Sequence, residues 1–168
     1  MVNNSDAATT PLEESNFVRL DSVDRVIIRE LQRDARLPNT AIAEAAGIAP
    51  STCLARIRSL KERGIIRGFH AEIDPAAIGR GLQALISVRL HSHARPQLNT
   101  FSGYLSSLDG VEAVFFVSGD RDFLVHVAVR DSEALRRLVA DTLSVRPEVA
   151  GTSTSVIFDY IASRSYTQ

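Results

Sequence analysis

The sequence predicts an α+β chain of two units, three helices followed by a βαββαβ succession, and three observations carry that reading. Apolar residues recur at helical spacing in the first part of the chain and alternate at strand spacing in the rest. The later part also repeats its own order of elements at an offset of about 40 residues. A length of 168 residues suffices for two small cores, and 45% hydrophobic with 23% charged residues excludes a generally disordered or fibrous chain.

Residues 1–18 lack periodicity and are expected as a flexible tail. From Asp21 the pattern turns helical: Val23, Ile27 and Leu31 recur every fourth residue, with Asp21 or Ser22 placed to cap the first amides of a helix over about 22–34. A break at 36–39 precedes a short helix from Thr40 to Ala46 that turns Ile42, Ala43 and Ala46 inward, and Gly47 stops it. Pro50 suits a first helical position, so a third helix runs from there to about Arg63, with Gly64 as its stop. Cys53, Ile57 and Leu60 share its apolar arc, while Ser51, Thr52, Ala55 and Ser59 face away and Arg56 and Arg58 flank them.

Counting from Asn39, an alanine stands fifth (Ala43), a glycine ninth (Gly47) and an apolar residue fifteenth (Cys53), the helix-turn-helix spacing. Ala43 allows close helix contact, Gly47 the sharp turn, and Cys53 anchors the second helix. Ile65 to Ile73 has strand character and is expected as a wing and exit strand, giving a winged helix-turn-helix over 19–74. Between Gly47 and His70, five cations (Arg56, Arg58, Lys61, Arg63 and Arg67) stand against Glu62 alone, although the whole chain carries -1. That asymmetry localises a polyanion contact to one segment, double-stranded DNA on this reading; the bland alternatives are a solvated helix face and an unrelated three-helix bundle.

Asp74-Pro75 breaks regular structure, and 75–81 is expected as a linker or hinge. From Leu82 the order is strand to His91, helix from Pro96 to Leu108, strand from Val111 to Ser118, then strand Asp122 to Val129, helix Ser132 to Leu143 and strand Gly151 to Tyr160. This predicts a ferredoxin-like sheet over 82–168 with both helices on one face. Phe123, Val125, Val127 and Val129 line one side of their strand and Leu124, His126 and Ala128 the other, so a partner subunit is expected to cover the second face.

Other chemistry is weakly signalled. One cysteine makes neither an intrachain disulfide nor a cysteine-rich zinc site, no apolar run reaches membrane-spanning length, and the expectation is a cytoplasmic protein with no membrane partner. His91-x-His93 lacks a further ligand nearby, His126 reads as a core or interface residue, and no P-loop, GxSxG elbow or dinucleotide fingerprint occurs. No metal site, no cofactor and no catalytic residue is assigned; the protein is not expected to be an enzyme.

Three ordered stretches, LDSVDRVIIRELQRDAR, then GIAPSTCLARIRSLKERGIIRGFHAEIDPAAIG, then VSGDRDFLVHV, resemble the Lrp/AsnC (leucine-responsive/asparagine, feast/famine) transcription regulators from about Leu20 to Tyr160. The resemblance implies a DNA-binding regulator of amino-acid metabolism whose C-terminal domain (RAM, ACT-like) dimerises, assembles to octamers and senses a small effector at subunit interfaces. It places the recognition helix at Pro50–Arg63, with Ser51, Thr52 and Ser59 expected at base edges and Arg56, Arg58 and Arg67 at phosphates. Ala49 departs from the family's serine before this helix, a missing cap typically worth ~1 kcal/mol.

The resemblance maps effector binding to the Gly119-Asp120-Arg121-Asp122 turn and to residues near the last strand. An amino acid needs an acceptor for its ammonium, such as Asp122, and donors for its carboxylate, which Thr152, Ser153, Thr154 and Ser155 could supply; a plain tight hairpin is the alternative. Arg121 stands where the family often has an aromatic residue. The chain looks like actinobacterial members that respond to alanine, so the resemblance implies an amino-acid effector whose identity it leaves open, with alanine as one candidate. Two other classes stay open: a nucleoid-type architectural protein without an effector, and a regulatory subunit of an enzyme.

Overall fold

The computed structural model describes residues 19–161, so the expected tail over 1–18 lies outside the described residues, as does 162–168. The chain forms two compact units that divide between His70 and Ala71, and each has its own hydrophobic cluster.

The first unit holds α1 (Ser22–Arg33), α2 (Asn39–Ala45) and α3 (Pro50–Glu62). Asp21 caps α1, its Oδ1 accepting from the Asp24 amide at 2.8 Å. Ile27, Ile42, Ala43, Cys53 and Leu60 form the buried centre, so each helix contributes the arc that its periodicity assigned. Gly47 takes φ +66 between α2 and α3, a left-handed conformation that costs glycine little. The N-cap position of α3 is Ala49, which makes no side-chain cap.

Among the described residues the expected wing strands are not formed. Ile65 to Ile73 pairs with no strand among the described residues; the amides of Ile65 and Ile66 both return to the Leu60 carbonyl and close the end of α3 instead. Propensity marked the segment as extended, but a strand exists only where a second backbone meets it. Lys61 lies 5.5 Å over the Phe69 ring, which holds this segment beside α3 through a cation–π contact.

The second unit opens with a short 3₁₀ turn at Ala76–Ile78, then β1 (Leu82–Leu90), a 3₁₀ segment at Ser92–Gln97, α4 (Leu98–Ser107), β2 (Val111–Phe116), β3 (Phe123–Val129), α5 (Ser132–Arg137) with a π-helical extension over Leu138–Leu143, and β4 (Val149–Ile157). All pairings are antiparallel in the order β2-β3-β1-β4, the ferredoxin-like arrangement in which the two βαβ halves interleave. Ala84, Ile86, Val88 and Leu90 of β1 and Phe123, Val125, Val127 and Val129 of β3 pack with Phe101 and Leu105 of α4 and with Leu135, Leu138 and Leu143, so both helices cover one face. The last strand ends at Ile157, not Tyr160, because its pairing with β1 stops at Gln83–Ile157 and no strand among the described residues pairs with it further on.

Helix α5 is capped like α1: Asp131 Oδ1 accepts from the Ala134 amide at 2.8 Å, and Arg130 Nε donates to Oδ2 at 2.8 Å. The backbone hydrogen bonds at Asp24 and Ala134, helped by Arg56 and Arg130, hold the Asp21 and Asp131 carboxyls below their usual range. A carboxyl whose folded pKa is depressed contributes stability above its unfolded value of roughly 4 and loses it as pH falls through the folded value. The thermal midpoint is therefore expected to drop on the acid side of pH 4. Asp21→Asn with Asp131→Asn, which keep a capping oxygen but no titration, should flatten that limb; an unchanged acid limb removes these caps as its cause.

Candidate nucleic-acid interface and effector site

Helix α3 is shaped by what its sequence leaves outside. Cys53 and Leu60 are buried and Ile57 half-buried, which turns Ser51, Thr52, Ala55 and Arg58 into solvent. Ser51, Ala55 and Arg58 lie on one side within about 60° of projection, and Thr52 and the half-buried Ser59 form the adjoining strip. Arg58 and Arg67 are exposed, with no ion-pair partner among the described residues. Small hydroxyls and an unengaged guanidinium on one helix face can hydrogen-bond base edges and phosphate oxygens.

Arg56 is placed differently from Arg58. Its guanidinium is engaged inside the unit, Nη1 donating to Asp24 Oδ1 at 2.9 Å and to Asp21 Oδ2. Sequence reasoning gave Asp21 a capping role only and missed Asp24, although Asp24 sits between Val23 and Ile27 on the buried arc of α1. A carboxylate at a core-facing helical position was the available signal, because such a group needs a cation or donor brought to it.

In the second unit, the turn after β2 is stitched to the end of β1 by Asp122. Its side chain is buried, its Oδ2 accepts from the Leu90 amide at 2.7 Å, and its own amide donates to the Val88 carbonyl at 3.0 Å. Gly119 (φ +117) and Asp120 are exposed, and Arg121 lies 3.8 Å from Asp120 within the same turn. Asp122 is thus a clamp between strands, a role that the short turn motif could not disclose because the amide it binds lies 32 residues away.

The hydroxyls of β4 alternate between faces. Thr152 and Thr154 pair with the buried Val88 and Ile86, so they stand on the helix-covered side, where Thr152 Oγ1 meets Ser144 Oγ at 3.3 Å. Ser153 and Ser155 pair with Ser87 and Leu85 on the opposite side. The turn and Thr152 come to the same end of the sheet: Val88 bonds Asp122 through its carbonyl and faces Thr152 in register. Ser153 and Thr154 continue along the strand from that end on opposite faces.

The helix-free face carries Leu85, Leu124, His126, Ala128 and the exposed Phe115, with Ile157 at its margin. His126 Nε2 lies 2.9 Å from Gln83 Oε1 and its ring 6.1 Å from that of Tyr160. His91 and His93 stack with centroids 5.4 Å apart. Among the described residues no helix is long and apolar enough to cross a membrane.

A helix-turn-helix unit with a hydroxyl- and cation-bearing face, joined to a ferredoxin-like unit, defines the class of DNA-binding regulators that carry a separate ligand-binding module. Residues 20–61 match the AsnC-type helix-turn-helix domain, and residues 83–166 the Lrp/AsnC ligand binding domain. The chain belongs to the Lrp/AsnC family of transcriptional regulators. It is 50% identical to the HTH-type transcriptional regulator AldR of Mycolicibacterium smegmatis over 87% of this chain and 85% of that one. Among solved structures it is similar to AldR of Mycobacterium tuberculosis (42% identity, TM-score 0.76, 87% of this chain and 97% of that one). It is also similar to a Neisseria meningitidis transcriptional regulator in complex with L-Met (29% identity, TM-score 0.79, 89% and 96%).

Proposed function

We propose that this regulator acts on genes of amino-acid metabolism by setting α3 into the major groove of double-stranded DNA, with Ser51, Thr52 and Ser59 at base edges and Arg58 and Arg67 on phosphates. The observation that carries the reading is the exposed face of α3, where Ser51, Thr52 and Arg58 point away from a core that Cys53 and Leu60 complete. Each phosphate contact releases counterions, so Arg58→Ala and Arg67→Ala should each lower the slope of log affinity against log salt by about 0.9. Equal slopes for native chain and variants would remove these two residues from the interface.

The effector is an amino acid, with alanine the first to test, held near Gly119, Asp120 and Asp122 and the adjoining start of β4 at Thr152, Ser153 and Thr154. The L-Met carried by the Neisseria relative supports an amino-acid class of ligand. The apolar helix-free face supports a homodimer through the sheet, in which interfaces complete the effector site, and dimers assemble further to octamers. The 3₁₀ turn and glycine at 76–79 supply the hinge within 75–81 between a 19–74 DNA-binding domain and an effector domain from 82 onward. The protein works in the cytoplasm, as a regulator and not an enzyme.

Thermal unfolding with each of the twenty amino acids, followed by mass measurement and DNA titration with any that stabilises, tests the effector reading. A ligand at free concentration c, bound only to the native state, stabilises it by RT ln(1 + c/Kd), so the midpoint rises with the logarithm of its excess over Kd. If no amino acid changes midpoint, mass or DNA affinity, the effector part fails and an architectural DNA-binding role takes its place.

A further inference from the structure

Helix α3 is held to α1 by ion pairs that cross 32 and 35 residues of sequence. Arg56 Nη1 meets Asp24 Oδ1 at 2.9 Å and also Asp21 Oδ2, while Arg63 Nη1 stands 3.9 Å from the other Asp24 oxygen and its Nη2 donates to the Arg19 carbonyl at 3.3 Å. The Asp24 side chain is 8% exposed and that of Arg56 35%. A carboxylate so far out of water is stable only with its cations in place, so movements that separate them are strongly disfavoured.

The apolar contacts of α3 leave one freedom that these pairs remove. Cys53 and Leu60, its two buried residues, lie close together on one arc and fix how near the helix sits, but a narrow arc resists rotation about the helix axis weakly. Arg56 and Arg63 project from the same flank, one helical stretch apart, and tie that flank to a single acid on α1. Asp21 adds the end of α1 to the arrangement, since one carboxylate serves both the cap at Asp24 and the guanidinium.

We propose that Arg56 is a positioning residue of the DNA-reading helix: anchored on Asp24 and Asp21, it fixes the rotation of α3 about its own axis and so decides which of Ser51, Thr52, Arg58 and Ser59 meets the groove. The inference rests on α3 being the helix that enters DNA. It reverses two electrostatic expectations. Were Arg56 bound to a phosphate, its truncation would lower the salt slope, whereas truncation of an anchor weakens binding with the slope kept. Removing the acid at Asp24 should favour a polyanion on charge alone, yet here it releases the anchor and weakens binding.

The test uses the full chain and a duplex enriched by the native protein from a random-sequence pool, titrated from about 50 to 200 mM salt. Arg56→Ala and Asp24→Asn are each expected to weaken binding about tenfold at a native salt slope, and the double variant to be no weaker than the single ones. Arg56→Lys keeps the charge without the planar fork and should fall between native and Arg56→Ala, again at native slope. Arg58→Ala is the control that lowers the slope. A fall in slope for Arg56→Ala equal to that for Arg58→Ala, or Asp24→Asn binding as tightly as native, overturns the proposal. If Arg56→Ala or Asp24→Asn does not fold by circular dichroism, Arg56→Lys and Asp21→Asn decide by affinity: both are expected to weaken binding, and native affinity for both overturns the proposal. Were the native chain to show no salt-dependent duplex binding at all, the DNA reading itself would fail. Non-additive thermal midpoints of the Asp24 and Arg56 variants would then persist as a purely structural coupling, which separates the two failures.

Discussion

Leu60→Ala is expected to unfold the helical unit and abolish DNA binding while the sheet unit keeps its own unfolding transition. Leu60 is fully buried at the junction of α3 with the segment behind it, and its carbonyl accepts the amides of both Ile65 and Ile66. A buried leucine cut to alanine typically costs ~2–5 kcal/mol. A unit of this size holds a total of roughly 3–8 kcal/mol, so the loss is comparable with everything that keeps it folded. The two clusters share no residue, which is why the damage should stop at one unit. Circular dichroism and calorimetry of the full chain would show one transition abolished and one retained; a single cooperative transition shifted as a whole would contradict this independence.

Phe123→Ala should have the larger effect on the second unit. Phe123 begins β3 next to Asp122, is almost completely buried, and its ring lies 5.8 Å from Phe101 of α4 and 5.5 Å from Phe116 of β2. It joins helix layer, central strand and edge strand at the end of the sheet where Asp122 clamps β1. Truncation of a buried phenylalanine costs ~3–5 kcal/mol, which for a domain of this length lowers the thermal midpoint by about 15 °C or more. Phe123→Leu, which refills most of the volume, should recover the larger part. A midpoint for Phe123→Ala within a few degrees of native would mean that the ring cluster is not what holds this end together.

The difference between what local pattern reveals and what it hides runs through particular residues. Val23, Ile27 and Leu31 announced α1, and the alternation from Leu82 to Leu90 announced β1, because burial of one face repeats with the period of the element itself. The hydroxyls of the last strand were read as one group, whereas the register sends Thr152 and Ser153 to opposite faces. Arg56 was not legible: its outward projection on a bare helix says nothing of an acid on another helix. Asp122 was half legible, since the turn was plain but the Leu90 amide that its carboxylate takes was not. At Ile65 to Ile73 the failure was of a different kind, for strand character is a property of the segment whereas strand formation is a property of a pair.

Cys53, the only sulfhydryl in the sequence, lies fully enclosed at the centre of the helical unit, and desolvation pushes its thiol pKa up. Alkylating reagents act on the thiolate, so enclosure and a raised pKa both slow them until the helices part. Labelling rate thus becomes a stopwatch wired to the opening of one unit and deaf to the other. With it, breathing of the DNA-reading half can be followed while an amino acid or a duplex is added to the intact chain, without a probe having to be installed.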